Sequence, residues 1–121
     1  MSPREETARK LADWINEHRL NNPFGGDVHR DGSGRFYSVL FAYPRYLDGL
    51  LRVYGPKFIL IEARGPWARF GGNRVYDSIE NAIAFLQAAF VDHDLEAAER
   101  VPIRKEKKRK PGRLASGITT Q

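Results

Sequence analysis

The chain has 121 residues, 41% of them hydrophobic and 29% charged, with no cysteine and a formal charge of +5. Those values suit one globular domain with one core and exclude disulfides, thiolate metal sites and a cysteine nucleophile. No stretch approaches the roughly 18 consecutive apolar residues of a membrane span, and the amino-terminal MSPREETARK lacks the apolar segment of a secretory signal. A soluble, cytoplasmic protein without membrane contact is therefore expected.

The elements follow in chain order. Ser2, Pro3 and Glu5 form a helix start, with the proline where its missing N–H costs nothing. Ala8, Leu11, Ala12, Trp14 and Ile15 recur at helical spacing, and Asn21-Asn22-Pro23 is a stop. The expected helix runs from Pro3 to Leu20. Residues 23–34 hold four glycines and read as a loop. Within it, Asp27, His29, Asp31 and Gly32 resemble the spacing of a calcium loop, but the twelfth position is Ser38 rather than glutamate. The expectation is a loop whose Asp and Ser side chains bond their own backbone.

Three or four antiparallel strands come next. Residues 35–43 alternate Tyr37, Val39, Phe41 and Tyr43 with Phe36, Ser38, Leu40 and Ala42. Asp48-Gly49 reads as part of a bend or a strand entry, 50–54 as a strand and Gly55-Pro56 as a turn. Residues 57–64 form another strand, with Ile59 and Ile61 on one face and Phe58, Leu60 and Glu62 on the other. Trp67–Phe70 and Arg74–Tyr76 read as short strand pieces around Gly71-Gly72. Asp77 is placed at the cap of a second helix with Glu80 as its partner; Ile79, Ala82, Ile83, Leu86, Ala89 and Phe90 form its apolar stripe. Residues 92–100 either extend that helix or start a new one at Asp94. The turns are too short for parallel crossovers. The expected fold is α+β: a three- to four-stranded antiparallel meander with an amino-terminal and a carboxy-terminal helix on one face, over residues 1–102. Residues 103–121 are expected to be a flexible basic tail.

The charge is unevenly placed. From Ile103 onward seven Lys and Arg oppose Glu106, giving +6, so the first 102 residues carry −1. Residues 28–76 carry +5 and residues 77–102 carry −5. Ten of the fourteen aromatics lie between Phe36 and Tyr76, within the positive segment. Aromatic faces stack bases and guanidinium groups take phosphates, so rings and cations on one sheet surface are the materials of single-strand binding. The expected contact residues are Arg52, Tyr54, Arg64, Trp67, Arg69, Phe70 and Arg74, with Arg104, Lys105, Lys107, Lys108, Arg109 and Lys110 of the tail supplying salt-sensitive attraction. Strands are rich in aromatics for packing reasons too, and alternating arginine is an ordinary solvated face. The rival expectation is a protein-interaction module, an adaptor or inhibitor or a homodimer, using the partly apolar second sheet face or the acidic 92–99 segment. His18, His29 and His93 have no metal-ligand spacing, and Ser33, Ser38 and Ser78 have no strong claim as nucleophiles, Ser78 sitting at a helix start. The expectation is a non-catalytic protein without metal or cofactor.

Overall fold

The structure, a computed structural model, describes residues 2–21, 25–43, 47–63 and 73–105. Helix α1 spans Pro3–Glu17, and the Ser2 hydroxyl caps it by accepting the Glu5 N–H. Its inward face is Thr7, Ala8, Leu11, Ala12 and Ile15, all buried. The Glu5 carboxylate is bound by the Arg9 guanidinium one turn on. The helix ends three residues before the expected Leu20. His18 is the C-cap, and Arg19 takes a left-handed backbone with φ of 58°. Arg19 N–H then bonds the Asn16 carbonyl and Leu20 N–H bonds the Ile15 carbonyl. This is a Schellman motif, in which the residue after the left-handed one turns back onto the helix. Leu20 and Ile15 are both buried. The turn, rather than Pro23, stops the helix.

Among the described residues five antiparallel strands follow in a simple meander, β1-β2-β3-β4-β5. They are β1 Val28–Arg30, β2 Tyr37–Tyr43, β3 Leu47–Gly55, β4 Phe58–Ala63 and β5 Asn73–Tyr76. Strand β1 lies inside the stretch expected to be loop. Its sequence is too short to show alternation, and pairing with β2 through Val28↔Val39 and Arg30↔Tyr37 defines it. The Asp31 carboxylate accepts the Ser33 N–H, which closes the turn between β1 and β2. Asp48-Gly49, expected as a bend or a strand entry, lies within continuous strand. Gly49 stands opposite Phe41, and a β-carbon there would meet the Phe41 ring tip at 2.3 Å. Glycine thus makes room for the buried Phe41 ring.

Helix α2 spans Ile79–Leu86 and is capped by Ser78, whose hydroxyl accepts the Asn81 N–H. The expected cap, Asp77, is one residue too early. A π-helical turn, Gln87–Val91, continues α2 and places Ala88, Ala89 and Phe90 all in the core. Wider winding shifts the buried stripe, so consecutive residues face inward. Helix α3, Leu95–Arg100, is separate and starts at Asp94, which accepts the Ala97 N–H.

The core sits between the helices and one sheet face. It contains Val39, Phe41, Leu51, Val53, Ile59, Ile61 and Tyr76 from the strands, and Leu11, Ile15, Phe85, Leu86 and Phe90 from the helices. Phe41 meets Phe90 edge-on with ring centres 5.0 Å apart. Burying each such side chain contributes roughly 1.5–3 kcal/mol. The α+β sandwich follows, with the helices on one side and, among the described residues, a bare sheet face on the other. Among the described residues no helix is long and apolar enough to cross a membrane.

Candidate functional site

The bare face is built by strand alternation. Residues whose neighbours point into the core point outward, and the register lines them up across the sheet. One line runs His29, Ser38, Arg52, Leu60 and Val75, each opposite the next. A second runs Leu40, Leu50, Glu62 and Asn73. At the other end of the strands lie three rings. Phe36 precedes β2, Tyr54 is near the end of β3, and Phe58 begins β4. The ring centres of Phe36 and Tyr54 are 5.1 Å apart, and those of Tyr54 and Phe58 are 5.0 Å apart. The planes are inclined by 46° and 65°, so the rings touch through edges and no base fits between them.

Two guanidinium groups flank this row. Arg52 lies 5.8 Å from the centre of Phe36, and Arg104 lies 4.7 Å from the centre of Phe58. All five residues are half-buried. Arg35 and Lys57, the chain neighbours of the outer two rings, are exposed, as is Lys105. The row therefore combines apolar ring surface with cations, and one carboxylate stands beside it: Asp31 lies across from Phe36, its N–H donating to the Phe36 carbonyl at 3.0 Å. Glu62 belongs to the line beyond Arg52.

The backbone beneath the rings is held from the helix side. Arg4 donates through Nε to the Tyr54 carbonyl at 2.9 Å and through Nη1 to the Gly34 carbonyl at 2.7 Å. One side chain thus ties the end of β3 to the turn before Phe36. The strap from Val101 to Lys105 holds the other end. It passes the edge of β5, and the Arg104 N–H donates to the Val75 carbonyl. The segment expected to leave the domain at Ile103 stays on it through Arg104.

Of the expected contact residues, Arg52, Tyr54 and Arg104 are thus brought together. Arg74 lies apart from them. It stands opposite Ile61, on the helix side of the sheet. Its Nε donates to the Tyr76 hydroxyl at 2.8 Å, and its Nη2 to the Glu99 carbonyl at 3.4 Å. Its guanidinium lies 5.6 Å from the Phe85 ring centre. Even parity along β5 decides this, since Arg74 and the buried Tyr76 are two residues apart. Burial pushes the Tyr76 hydroxyl up to about 12, against the opposing pull of Arg74. Arg64, Trp67, Arg69 and Phe70, and also Lys107, Lys108, Arg109 and Lys110, lie outside the described residues. Phe36 and Phe58, which complete the row, were not among the expected contact residues, although alternation sets Phe36 on one strand face with Leu40, and Phe58 on one with Leu60. Nothing in the sequence signals the tie made by Arg4.

A cleft of about 300 Å³ opens elsewhere, between Thr7, Lys10, Pro56, Lys57, Asp77, Ser78, Ile79 and Glu80. Its hydroxyl at Ser78 is used as the α2 cap, and charges of both signs line it. Among the described residues no three His, Cys, Asp or Glu are grouped to hold a metal ion.

Set beside known proteins, the chain matches no family model, no curated protein and no solved structure.

Proposed function

We propose that the protein binds single-stranded nucleic acid without chemistry, on the row Phe36, Tyr54 and Phe58 with Arg52 and Arg104. One observation carries the reading: three rings and two guanidinium groups meet on the sheet face that the helices leave bare, and the second guanidinium opens the basic run of the sequence. Bases stack on ring faces at roughly 1–3 kcal/mol each by alanine substitution, whatever their identity. A duplex hides those faces within its own stack, so DNA or RNA serves only when unpaired. Phosphates fall to Arg52, Arg104 and Lys105, and to Lys107, Lys108, Arg109 and Lys110 beyond them.

The test is an anisotropy titration of the full chain with single- and double-stranded oligonucleotides at two salt concentrations. The single strand binds more tightly. Replacing Lys107, Lys108, Arg109 and Lys110 by glutamine flattens the dependence of log K on log salt by up to about 3, at about 0.7 per phosphate. A variant that loses all binding with those four charges leaves the rings without a role. Equal binding of polyglutamate marks a general polyanion binder and overturns the reading.

A second reading is favoured by the apolar part of the same face. Leu40 is 38% exposed, and Leu50, Leu60 and Val75 beside it are half-buried with no helix over them. Such a surface suits a protein partner or a second copy of the chain. A dimer in light scattering that persists at high salt, combined with no oligonucleotide binding, selects this reading over the first.

A further inference from the structure

We infer that two copies of this chain meet face to face on the bare sheet, Arg52 of each pairing with Glu62 of the other across a shared band of Leu40, Leu50, Leu60 and Val75. This rests on the second reading above, that the apolar part of the face meets protein, and adds which partner meets it and how.

Strands β3 and β4 turn four side chains outward at the corners of one rectangle. Leu50 stands opposite Glu62, and Arg52 stands opposite Leu60. The leucines therefore occupy one diagonal and the charges the other, and all four are half-buried. The outer strands extend the apolar diagonal, since Leu40 stands opposite Leu50 and Val75 opposite Leu60. The result is an oblique apolar band with a cation on one side and an anion on the other. The two charges do not satisfy each other within one chain. Arg52 leans to the Phe36 ring, 5.8 Å from its centre, and Glu62 has no ion-pair partner among the described residues. A half-buried carboxylate between two leucines is costly to leave unpaired.

Such a surface complements itself about one axis. Identical chains associate most often about a two-fold axis, which sets one patch against itself. Laid along the strands, that axis would set Leu50 on Glu62 and Arg52 on Leu60. Laid across the strands, it would set Arg52 on Leu50 and Leu60 on Glu62. Laid along the charged diagonal, it would set each charge on a like charge. Laid along the apolar band, it sets leucine on leucine and brings each Arg52 onto the Glu62 of the other copy. A second copy thus matches the charge pattern at both corners at once. Two ion pairs then flank an apolar centre, which is the anatomy of a protein interface. The ring row uses the same Arg52, so a bound strand and a second copy exclude one another.

The test is charge reversal in the full chain, treated with nuclease so that no strand competes. Two facing lines of one small sheet make an interface at the low end of the size range, so sedimentation is followed from about 5 to about 500 μM. The wild type should pass from monomer to dimer within that range. Arg52→Glu and Glu62→Arg each set like charges together at both corners, and each should raise the dissociation constant by about a hundredfold or more. An equimolar mixture of the two variants has opposite charges at both corners again and should dimerise within about tenfold of the wild type. A folding defect in either variant could not produce that recovery. A mixture that stays monomeric while circular dichroism shows both variants folded overturns the pairing. A wild-type dimer that both reversals leave intact overturns it too, and leaves the apolar contact standing. A wild type that is monomeric throughout overturns the second copy as partner and leaves the second reading to a different protein.

Discussion

Arg4 and Tyr54 are fifty positions apart in the chain, and the Arg4 Nε donates to the Tyr54 carbonyl at 2.9 Å. With its second bond, to Gly34, this side chain joins the first turn of α1 to both strand ends that carry the rings. It belongs to folding first and to the surface second. Its absence leaves two carbonyls without a charged donor.

Arg4→Ala should therefore lower stability by about 1–3 kcal/mol, the range for hydrogen bonds to charged groups. Urea denaturation measures this. Arg4→Lys restores the charge without the fork and should recover only part of the loss, since an ammonium cannot reach both carbonyls in the same planar geometry. A full recovery by lysine would show that charge alone holds the two strand ends.

Tyr76 makes stability depend on pH in the alkaline range. Its hydroxyl is held in the neutral form by burial, with its acidity moved from 10.0 to about 12. The unfolded chain loses that proton near 10. Folding is therefore fully favoured by this group below pH 10, and its contribution is lost as pH rises from 10 toward 12. Tyr76→Phe removes the titration, so the difference in stability between wild type and variant should shrink as pH climbs from 9 to 11.5. Parallel curves for the two proteins would show that the hydroxyl titrates alike in both states. At neutral pH the same variant deprives the Arg74 Nε of its acceptor and should cost about 1 kcal/mol.

Arg19 adopts a conformation suited to glycine, with φ of 58°, and its side chain is exposed. A β-carbon in the left-handed region costs roughly 1–2 kcal/mol. Arg19→Gly should relieve that, less the larger entropy that glycine gives the unfolded chain, for a net gain of about 0.5–1 kcal/mol. A thermal melt should rise by about 2–5 °C for a domain of this size. A fall instead would mean that the arginine stem covers apolar surface at the helix end.

These features divide by how far apart their causes lie in the chain. Alternation in β2, β3 and β4 is local, and in the sequence alone it separates Val39 and Phe41 from Phe36, and Ile59 and Ile61 from Phe58 and Leu60. Capping is local too, so Ser2 and Asp94 were legible, while Asp77 and Ser78 are adjacent candidates and only the backbone chose between them. The three residues of β1 are strand because β2 pairs with them, and no pattern of three residues carries that. The Arg104 strap was illegible for the same reason: composition says tail, and one backbone bond to Val75 says otherwise. Arg74 shows the opposite failure. Its parity with Tyr76 was readable, but charge drew it into the expected site, whereas a buried phenol and the Phe85 ring hold it on the other side.

That contrast yields the sharpest test of the site, because two arginines of similar expectation now lie on opposite faces. Tyr54→Ala and Phe58→Ala each remove one ring from the row. Each should weaken single-strand binding by about 1–3 kcal/mol, or roughly 5- to 150-fold, with duplex binding changed far less. Arg52→Ala should weaken binding and also flatten its salt dependence, by about 0.7 for one phosphate. Arg74→Ala should do neither. It should lower the melting temperature, since it removes the donor to a buried hydroxyl and a cation from the Phe85 ring, and leave the affinity of the folded protein within about twofold. The two classes of variant must therefore separate when affinity is plotted against stability. If the ring variants lose binding only in proportion to their loss of folded protein, or if Arg74→Ala abolishes binding in a sample that circular dichroism shows to be folded, the contact surface is on the helix side of the sheet and the row is packing.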